Sequence, residues 1–338
     1  MLAPPNIQIL RTTAEFESIL PEWRAIWLQD PDAKPFQRPE WLLPWWHHFG
    51  QTSLYVLCIR QADRLVGLLP VYVYADPARG ERQLLLVGAG TSDYLDGIFA
   101  PACTPQDILE ALSLVAEELT WDVAYFTQLL PSSLLYETLE RYTAQRFFGE
   151  TCSLCPALSI ADLPKKIRAD VRYFYNAAIG RGKLRMLVAD VASAPSAFED
   201  LVQLHFARWE KSQQTGVLVD SNVLAWHREG IPLLQAADCL RLYTLTLDAE
   251  PIAALYALID PPGRLRRTAY FYLIGYSPAH AALKPGTLVT AMASEHAAAE
   301  GVQILDMLRG NEAYKKFWKV QEIRTFGFEI RREDVVRG

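Results

Sequence analysis

Between Lys284 and Lys315 the chain gathers residue types that bind anions and move protons. Lys284-Pro285-Gly286-Thr287 puts a cation, a helix-starting proline and a glycine ahead of Leu288, Ala291, Met292, Glu295, Ala298 and Ala299, which recur at helical spacing. The start of a helix leaves backbone N–H groups unpaired and carries roughly half a positive charge, so a pyrophosphate can sit there. Further on, Asp306, Arg309, Glu312, Tyr314 and Lys315 bring two carboxylates, two cations and a phenol within ten residues. Such a set can take a proton from one group and give one to another. The plainer alternatives are that Pro285-Gly286 only starts a helix and that the charged cluster is a solvated turn.

These residues need a frame. Thr268 to Gly275 is aromatic and apolar throughout, the pattern of a strand buried on both faces. A loop from Ser277 to Lys284 leads into the helix, Gly301 stops it, and Ile304 to Leu308 is a second strand. Ligands of open α/β sheets tend to bind off the carboxyl ends of strands, which is where the charged cluster falls.

The whole chain has 338 residues, 51% hydrophobic and 21% charged, with a net charge of −6. That composition predicts packed globular domains, and the charge gives no general attraction to DNA or an anionic membrane. No apolar run reaches the ~20 residues of a membrane span, and Met1 to Asn6 does not read as a signal peptide. The five cysteines do not suit a disulfide framework, and Cys152-Ser153-Leu154-Cys155 lacks the further ligands of a structural zinc site. A reducing cytoplasm and no bound metal are expected.

A second pattern concerns order. A helix over Ala14–Gln29, kinked at Pro21, precedes a tryptophan-rich segment from Phe36 to Phe49. A hairpin follows (Leu54–Ile59 and Leu65–Tyr72), then a strand from Gln83 to Val87, an acidic loop with Asp93, Tyr94 and Asp96, a helix from Pro105 and a strand from Asp122. The series then recurs. Phe198-Glu199 follows Phe16-Glu17 by 182 residues, as Trp209 follows Trp27, and Trp226-His227 follows Trp46-His47 by 180. Preserved order at nearly constant offset argues for two copies of one α/β unit. The expected division is residues 1–150, a crossover over 151–163, and residues 164–338. A basic run, Lys165-Lys166-Ile167-Arg168 with Arg172 and Arg181 to Arg185, opens the second copy; it is a solvated helix face or an anion-binding surface.

Helix, hairpin, central strand, helix, strand is an order that resembles the GNAT acyltransferase fold. The tandem form is similar to the Fem-like, CelD-like acetyltransferases, a group named partly for cellulose and exopolysaccharide loci. Pro35 to Trp41, Gly67 to Pro70 and Ser92 to Asp96 carry the resemblance in the first copy. Trp226 to Glu229, Pro285 to Leu288 and Asp306 to Lys315 carry it in the second. It implies two tandem GNAT-like domains, each a mixed, mostly antiparallel sheet flanked by helices. It also implies acyl transfer from acetyl-CoA, or another acyl-CoA, to an amine, with an amino sugar or polysaccharide precursor as acceptor. The donor would lie along Leu273, Ile274 and Gly275 and meet Lys284, Pro285, Gly286, Thr287 and Leu288. Of the family's Arg/Gln-x-x-Gly-x-Gly/Ala loop, only Gly286 is present. Fem-like relatives imply an alternative donor, an aminoacyl-tRNA. A third reading is a non-catalytic module that binds a glycan or a partner.

On that reading Tyr314 is the acid for the leaving thiolate and Glu312 or Asp306 takes the amine's proton. Asp93, Tyr94, Asp96, His227, Arg309 and Lys315 are the candidate acceptor contacts. Three of them have plainer alternatives: Asp306 as a cap or ion-pair partner of Arg309 or Lys315, Tyr314 as part of a packing stripe with Phe317 and Trp318, and His227 as a core histidine paired with Glu229.

Overall fold

The computed structural model describes residues 5–50, 53–142, 145–212, 216–310 and 312–337. The chain forms two compact units, residues 1–150 with 324–338 and residues 151–323.

In chain order the first part holds β1 (Asn6–Leu10), α1 (Thr13–Ser18), α2 (Leu20–Gln29), α3 (Pro39–Phe49), β2 (Ser53–Gln61), β3 (Arg64–Asp76), β4 (Glu81–Leu86), β5 (Ile98–Phe99), α4 (Pro105–Glu118), β6 (Val123–Leu129) and α5 (Leu134–Arg141). Strand β7 (Gln145–Pro156) follows. The single kinked helix expected over 14–29 is two helices. Thr12 and Glu15 form a capping box that starts α1, and the chain breaks at Ile19. Pro21 then falls in the first turn of α2, where its missing N–H leaves no bond unmade. The segment from Thr151 to Pro156, expected as crossover, is the end of β7. The ladder of the first unit runs β1-β2-β3-β4-β6, with β4 and β6 parallel and the other pairs antiparallel. Its core is dense in tryptophan; the indole N–H of Trp23 donates to the Gln37 carbonyl and that of Trp27 to the Lys34 carbonyl, at 2.9 and 2.8 Å.

The second part holds α6 (Lys165–Ile179), β8 (Leu184–Val188), α7 (Ala194–Ser212), α8 (Ser221–Ala236), β9 (Leu240–Leu247), β10 (Glu250–Ile259), β11 (Thr268–Tyr276), α9 (Pro285–Ala299), β12 (Ile304–Arg309) and α10 (Ala313–Phe317). Then come β13 (Gln321–Arg331) and α11 (Arg332–Arg337). The segment from Ser277 to Lys284, expected as loop, contains a short 3-10 turn over Pro278–Leu283. In the second unit the order is β7-β12-β11-β10-β9-β8, antiparallel except for β11 and β12. Strand β13, which the duplication alone would give to the second copy, pairs with β6 through Phe326 to Arg331.

Side-chain alternation along β10 sorts the helices of the second unit. Ala253, Leu255, Ala257 and Ile259 join a core with Ile167 and Val171 of α6 and Leu288 and Val289 of α9. Tyr256 points the other way, where its ring meets Phe198 of α7 and His227 of α8. Helices therefore lie on both faces of this sheet.

Candidate functional site

The two parallel strands of the second unit stay paired for only three residues, Thr268 to Tyr270 against Ile304 to Asp306. Two local irregularities part them. Asp306 accepts the Leu308 N–H at 2.8 Å, Leu308 takes φ +58°, and the register of β12 against β7 shifts between Asp306 and Arg309. A left-handed conformation costs a bulky residue about 1–2 kcal/mol. On β11 the register against β10 slips at Tyr256/Ala257, so Tyr272 is extra.

Past this point β11 keeps β10 on one side and has an open edge on the other. Ser277 N–H donates to the Ile252 carbonyl at 2.9 Å, so Ile274 and Tyr276, out of phase with it, turn their backbone groups toward the opening. The Ile274 carbonyl accordingly accepts Arg208 Nη1 of α7 at 3.1 Å. Phe271, Tyr272, Leu273 and Ile274 are all half-buried, a run partly open on both faces. Gly275 has a packing reason. A Cβ there would lie 2.7 Å from the His205 backbone nitrogen, so α7 sits directly on the strand.

Helix α9 starts at the far end of this edge. Lys284 takes φ +48° as its N-cap residue, and its carbonyl accepts the N–H groups of Thr287 and Leu288 at 2.9 and 3.1 Å. A Cβ on Gly286 would stand 3.6 Å from Tyr276 and 3.7 Å from Ile274, so the helix start borders the open strand with no side chain between. Lys284 is exposed and Thr287 half-buried. Leu288 departs from expectation: its side chain is fully buried in the core and its amide is already bonded, so it has nothing to offer a donor.

The cluster after β12 divides by burial. Asp306 is 2% exposed and shapes the turn at Leu308, so it is not placed to take a proton from an incoming amine. Lys315 is equally hidden. Its ammonium donates to the carbonyls of Leu308, Arg309 and Gly310 at 3.1, 2.7 and 3.3 Å and pairs with Glu312 at 2.9 Å. Lys315, expected as an acceptor contact, therefore staples the turn. The other pair faces outward. Glu312 is exposed and Tyr314 is 40% exposed. Although the side chain is partly exposed, desolvation of the phenol by the surrounding protein pushes Tyr314 up to about 12; the Glu312 charge adds to this and the Arg208 charge opposes it. Tyr314 thus keeps its proton at neutral pH. Arg309 closes the strand, half-buried, opposite Cys152.

His227 is 1% exposed and stacks on Trp226 at 4.1 Å, with Phe198, Tyr256 and Tyr272 around it. Burial lowers its pKa to about 3, which makes it a neutral core histidine. In the first unit Asp93 and Tyr94 are buried. The Tyr94 carbonyl accepts Gln37 Nε2 at 2.9 Å, and Leu95 N–H donates to the Gln128 carbonyl at 3.1 Å. Burial holds the Asp96 carboxyl well above its ordinary range; Asp30 and Asp32 add to the rise, and hydrogen bonds from Ser133 and the Gly97 amide oppose it. Asp96 lines a narrow pocket with Asp32, Lys34, Gln128 and Ser133. Among the described residues no group of His, Cys, Asp and Glu is arranged to hold a metal ion, and no helix is long and apolar enough to cross a membrane.

Two residues at the opening escaped the sequence reading, Arg208 and His205. The nearest signal was Trp209, aligned with Trp27 as a core position of a helix that must cross the central strand.

Residues 165–316 match the family model of the acetyltransferase (GNAT) domain, so the chain carries a GNAT acetyltransferase-fold domain there. No curated protein matches the chain in sequence. Among solved structures, FemX is similar over 95% of this chain and 96% of its own, with 10% identity and a TM-score of 0.65. The C-terminal domain (DUF2156) of a putative lysylphosphatidylglycerol synthetase from Agrobacterium fabrum is similar over 96% and 95%, with 11% identity and a TM-score of 0.58. A tandem GNAT protein from the clavulanic acid biosynthesis pathway is similar over 97% and 99%, with 12% identity and a TM-score of 0.51. At such identities the likeness is one of fold, and it bears out the expected class, a mixed, mostly antiparallel sheet flanked by helices with tandem GNAT neighbours.

Proposed function

We propose that the protein is an N-acyltransferase that moves an acyl group, acetyl in the simplest case, from a thioester of coenzyme A to an amine at the opening between β11 and β12. One observation carries this reading. The central strand presents outward-turned backbone groups at Ile274 and Tyr276, a half-buried apolar run from Phe271 to Ile274, and a helix start at its end bordered by Gly286. An extended arm with amides and a terminal pyrophosphate fits that sequence of surfaces. The CelD-like resemblance supports an amino sugar or polysaccharide precursor as the acceptor.

In the reaction a neutral amine attacks the thioester carbonyl, the C–N bond forms and the C–S bond breaks. Backbone N–H groups of β11 polarise the carbonyl. Glu312 takes the amine's proton, directly or through water, and Tyr314 gives its proton to the thiolate. Arg208 favours that second transfer, because its charge lowers the Tyr314 pKa. Asp306 and Lys315 fix the turn that presents both groups.

A second reading, with an aminoacyl-tRNA as donor, has one observation in its favour. Lys166, at the start of the basic helix α6, lies 5.0 Å over the ring of Phe317, on the short helix that bears Tyr314.

Calorimetric titration with acetyl-CoA tests the first reading. Micromolar binding, abolished by Gly286→Trp, is the expected result. No binding of acetyl-CoA, or equal binding by the variant, would count against it; binding of charged tRNA that weakens steeply with salt would then favour the second.

A further inference from the structure

Helix α7 lays Arg208 and His205 over the same stretch of β11, and neither has an assigned ligand. Arg208 is half-buried between two aromatic rings, 5.2 Å from the centre of Trp209 and 5.3 Å from that of Tyr276. A guanidinium carries a fork of N–H donors, and the Ile274 carbonyl takes one of them. Among the described residues no carboxylate pairs with it. A cation partly withdrawn from water and lacking a counter-charge is costly to keep.

The neighbour repeats the pattern. His205 is 3% exposed, and its Nε2 accepts the Trp209 indole N–H at 2.9 Å, which leaves the proton of the neutral ring on Nδ1. That Nδ1 has no hydrogen-bond partner among the described residues. Burial, with the Arg208 charge, lowers the His205 pKa to about 4, so the ring stays a neutral donor. Two polar groups that need an acceptor thus lie one helical turn apart on α7, Arg208 beside the edge that ends at Gly286 and the His205 ring packed against Trp209.

We infer that Arg208 recognises an anionic oxygen of the bound substrate, phosphate or carboxylate, at the Ile274–Tyr276 end of the opening. The loop before α9 provides only Lys284 and Gly286 of an anion-binding set; α7 brings the remaining charge from outside the loop. The anion has two possible sources, the phosphates of the donor or a charged group on the acceptor. The first source rests on the coenzyme A reading; the second does not.

The experiment titrates acetyl-CoA, S-acetylpantetheine and inorganic pyrophosphate into the full chain, as wild type, Arg208→Gln and Arg208→Lys, with near-ultraviolet circular dichroism as the control for folding. If the donor supplies the anion, Arg208→Gln weakens acetyl-CoA ~10-fold or more and leaves S-acetylpantetheine unchanged. Arg208→Lys, which keeps the charge and loses the fork, falls between. If acetyl-CoA binding is unchanged but pyrophosphate binding is lost, the inference stands with the acceptor as source. Should wild type bind no acetyl-CoA, the coenzyme A reading fails and pyrophosphate alone decides this one. Equal binding of acetyl-CoA and pyrophosphate by Arg208→Gln and wild type overturns the inference. So does an equal loss for acetyl-CoA and S-acetylpantetheine, because Arg208 would then only hold β11 in place.

Discussion

Strand β6 of the first unit and strand β12 of the second break their ladders at matching points. Gln128 takes φ +64° and Leu308 φ +58°, 180 residues apart, the same offset that separates Trp46-His47 from Trp226-His227. In each unit the parallel pair holds for three residues and then parts. Beyond the break the two copies differ. In the first unit β4 ends at Leu86, and the chain turns back so that Leu95 N–H meets the Gln128 carbonyl. Trp41 then donates to Ser92, and Tyr94 packs against Phe36. The gap is filled from within. In the second unit β11 runs on to Tyr276, Phe271 to Ile274 and Tyr276 stay half-buried, and a helix start stands at its end. The gap is core in the first unit and keeps an open edge in the second, which is why we propose donor binding at the second unit alone.

The comparison can be broken at several points. Lys315→Met should have the largest effect. It strips one ammonium from a buried carbonyl at Leu308 and two part-buried ones at Arg309 and Gly310, and leaving a buried group unmet costs about 1–3 kcal/mol. Denaturant unfolding should show a loss of about 2–3 kcal/mol in the second unit; a loss under about 1 kcal/mol would mean that the turn at Leu308 holds itself. Tyr314→Phe should come next, with kcat down ~100-fold and acetyl-CoA affinity unchanged. With the phenol at about 12, the wild-type rate should show no alkaline fall from this group at neutral pH, and a fall that Tyr314→Phe removes would contradict the assignment.

The two glycines of the opening give a sharper contrast. Gly275→Ala pushes a methyl into the backbone of α7 and should cost about 1–3 kcal/mol. Gly286→Ala meets only ordinary contacts and should change stability by under about 0.5 kcal/mol. Equal effects would mean that the start of α9 is packed rather than open. Acid sensitivity adds a subtler probe. His227 falls to about 3 and His205 to about 4, from an ordinary 6.5. Below about 6.5 the unfolded chain binds protons that the fold refuses, so stability should drop as pH falls toward those values. His227→Phe should flatten that slope, as read from unfolding at pH 4 to 7. The smallest effect is expected at Asp96 in the filled copy. Its carboxyl is held above the ordinary range, so the charge it bears at higher pH is a cost, and Asp96→Asn should leave the first unit slightly more stable at neutral pH.

The order of elements was legible because strands and helices keep their periodicity whatever they pack against. Gly286, Glu312 and Tyr314 stand out in sequence as candidates because each comes soon after a predicted strand or opens a predicted helix. Lys315 could not be read correctly. A charged residue just past a strand is ordinarily solvated, and nothing local shows that the turn at Leu308 directs three carbonyls inward. Arg208 was missed for a related reason: on a helical wheel it is one more polar residue, and only the crossing of α7 over Gly275 sets it on the edge of β11. His227 was left between two roles that sequence cannot separate, since burial among aromatic rings is a property of the packed unit. The pairing of β13 with β6 joins residues about two hundred apart, a distance at which local pattern carries no information.

Hydrogen–deuterium exchange with and without acetyl-CoA tests the central claim most directly, because it reads both openings in one sample. Slower exchange is expected at residues 272–276 and 284–288, with no change at residues 83–97. Protection of the first unit's strand and loop instead, or of neither region at saturating acetyl-CoA, would contradict it.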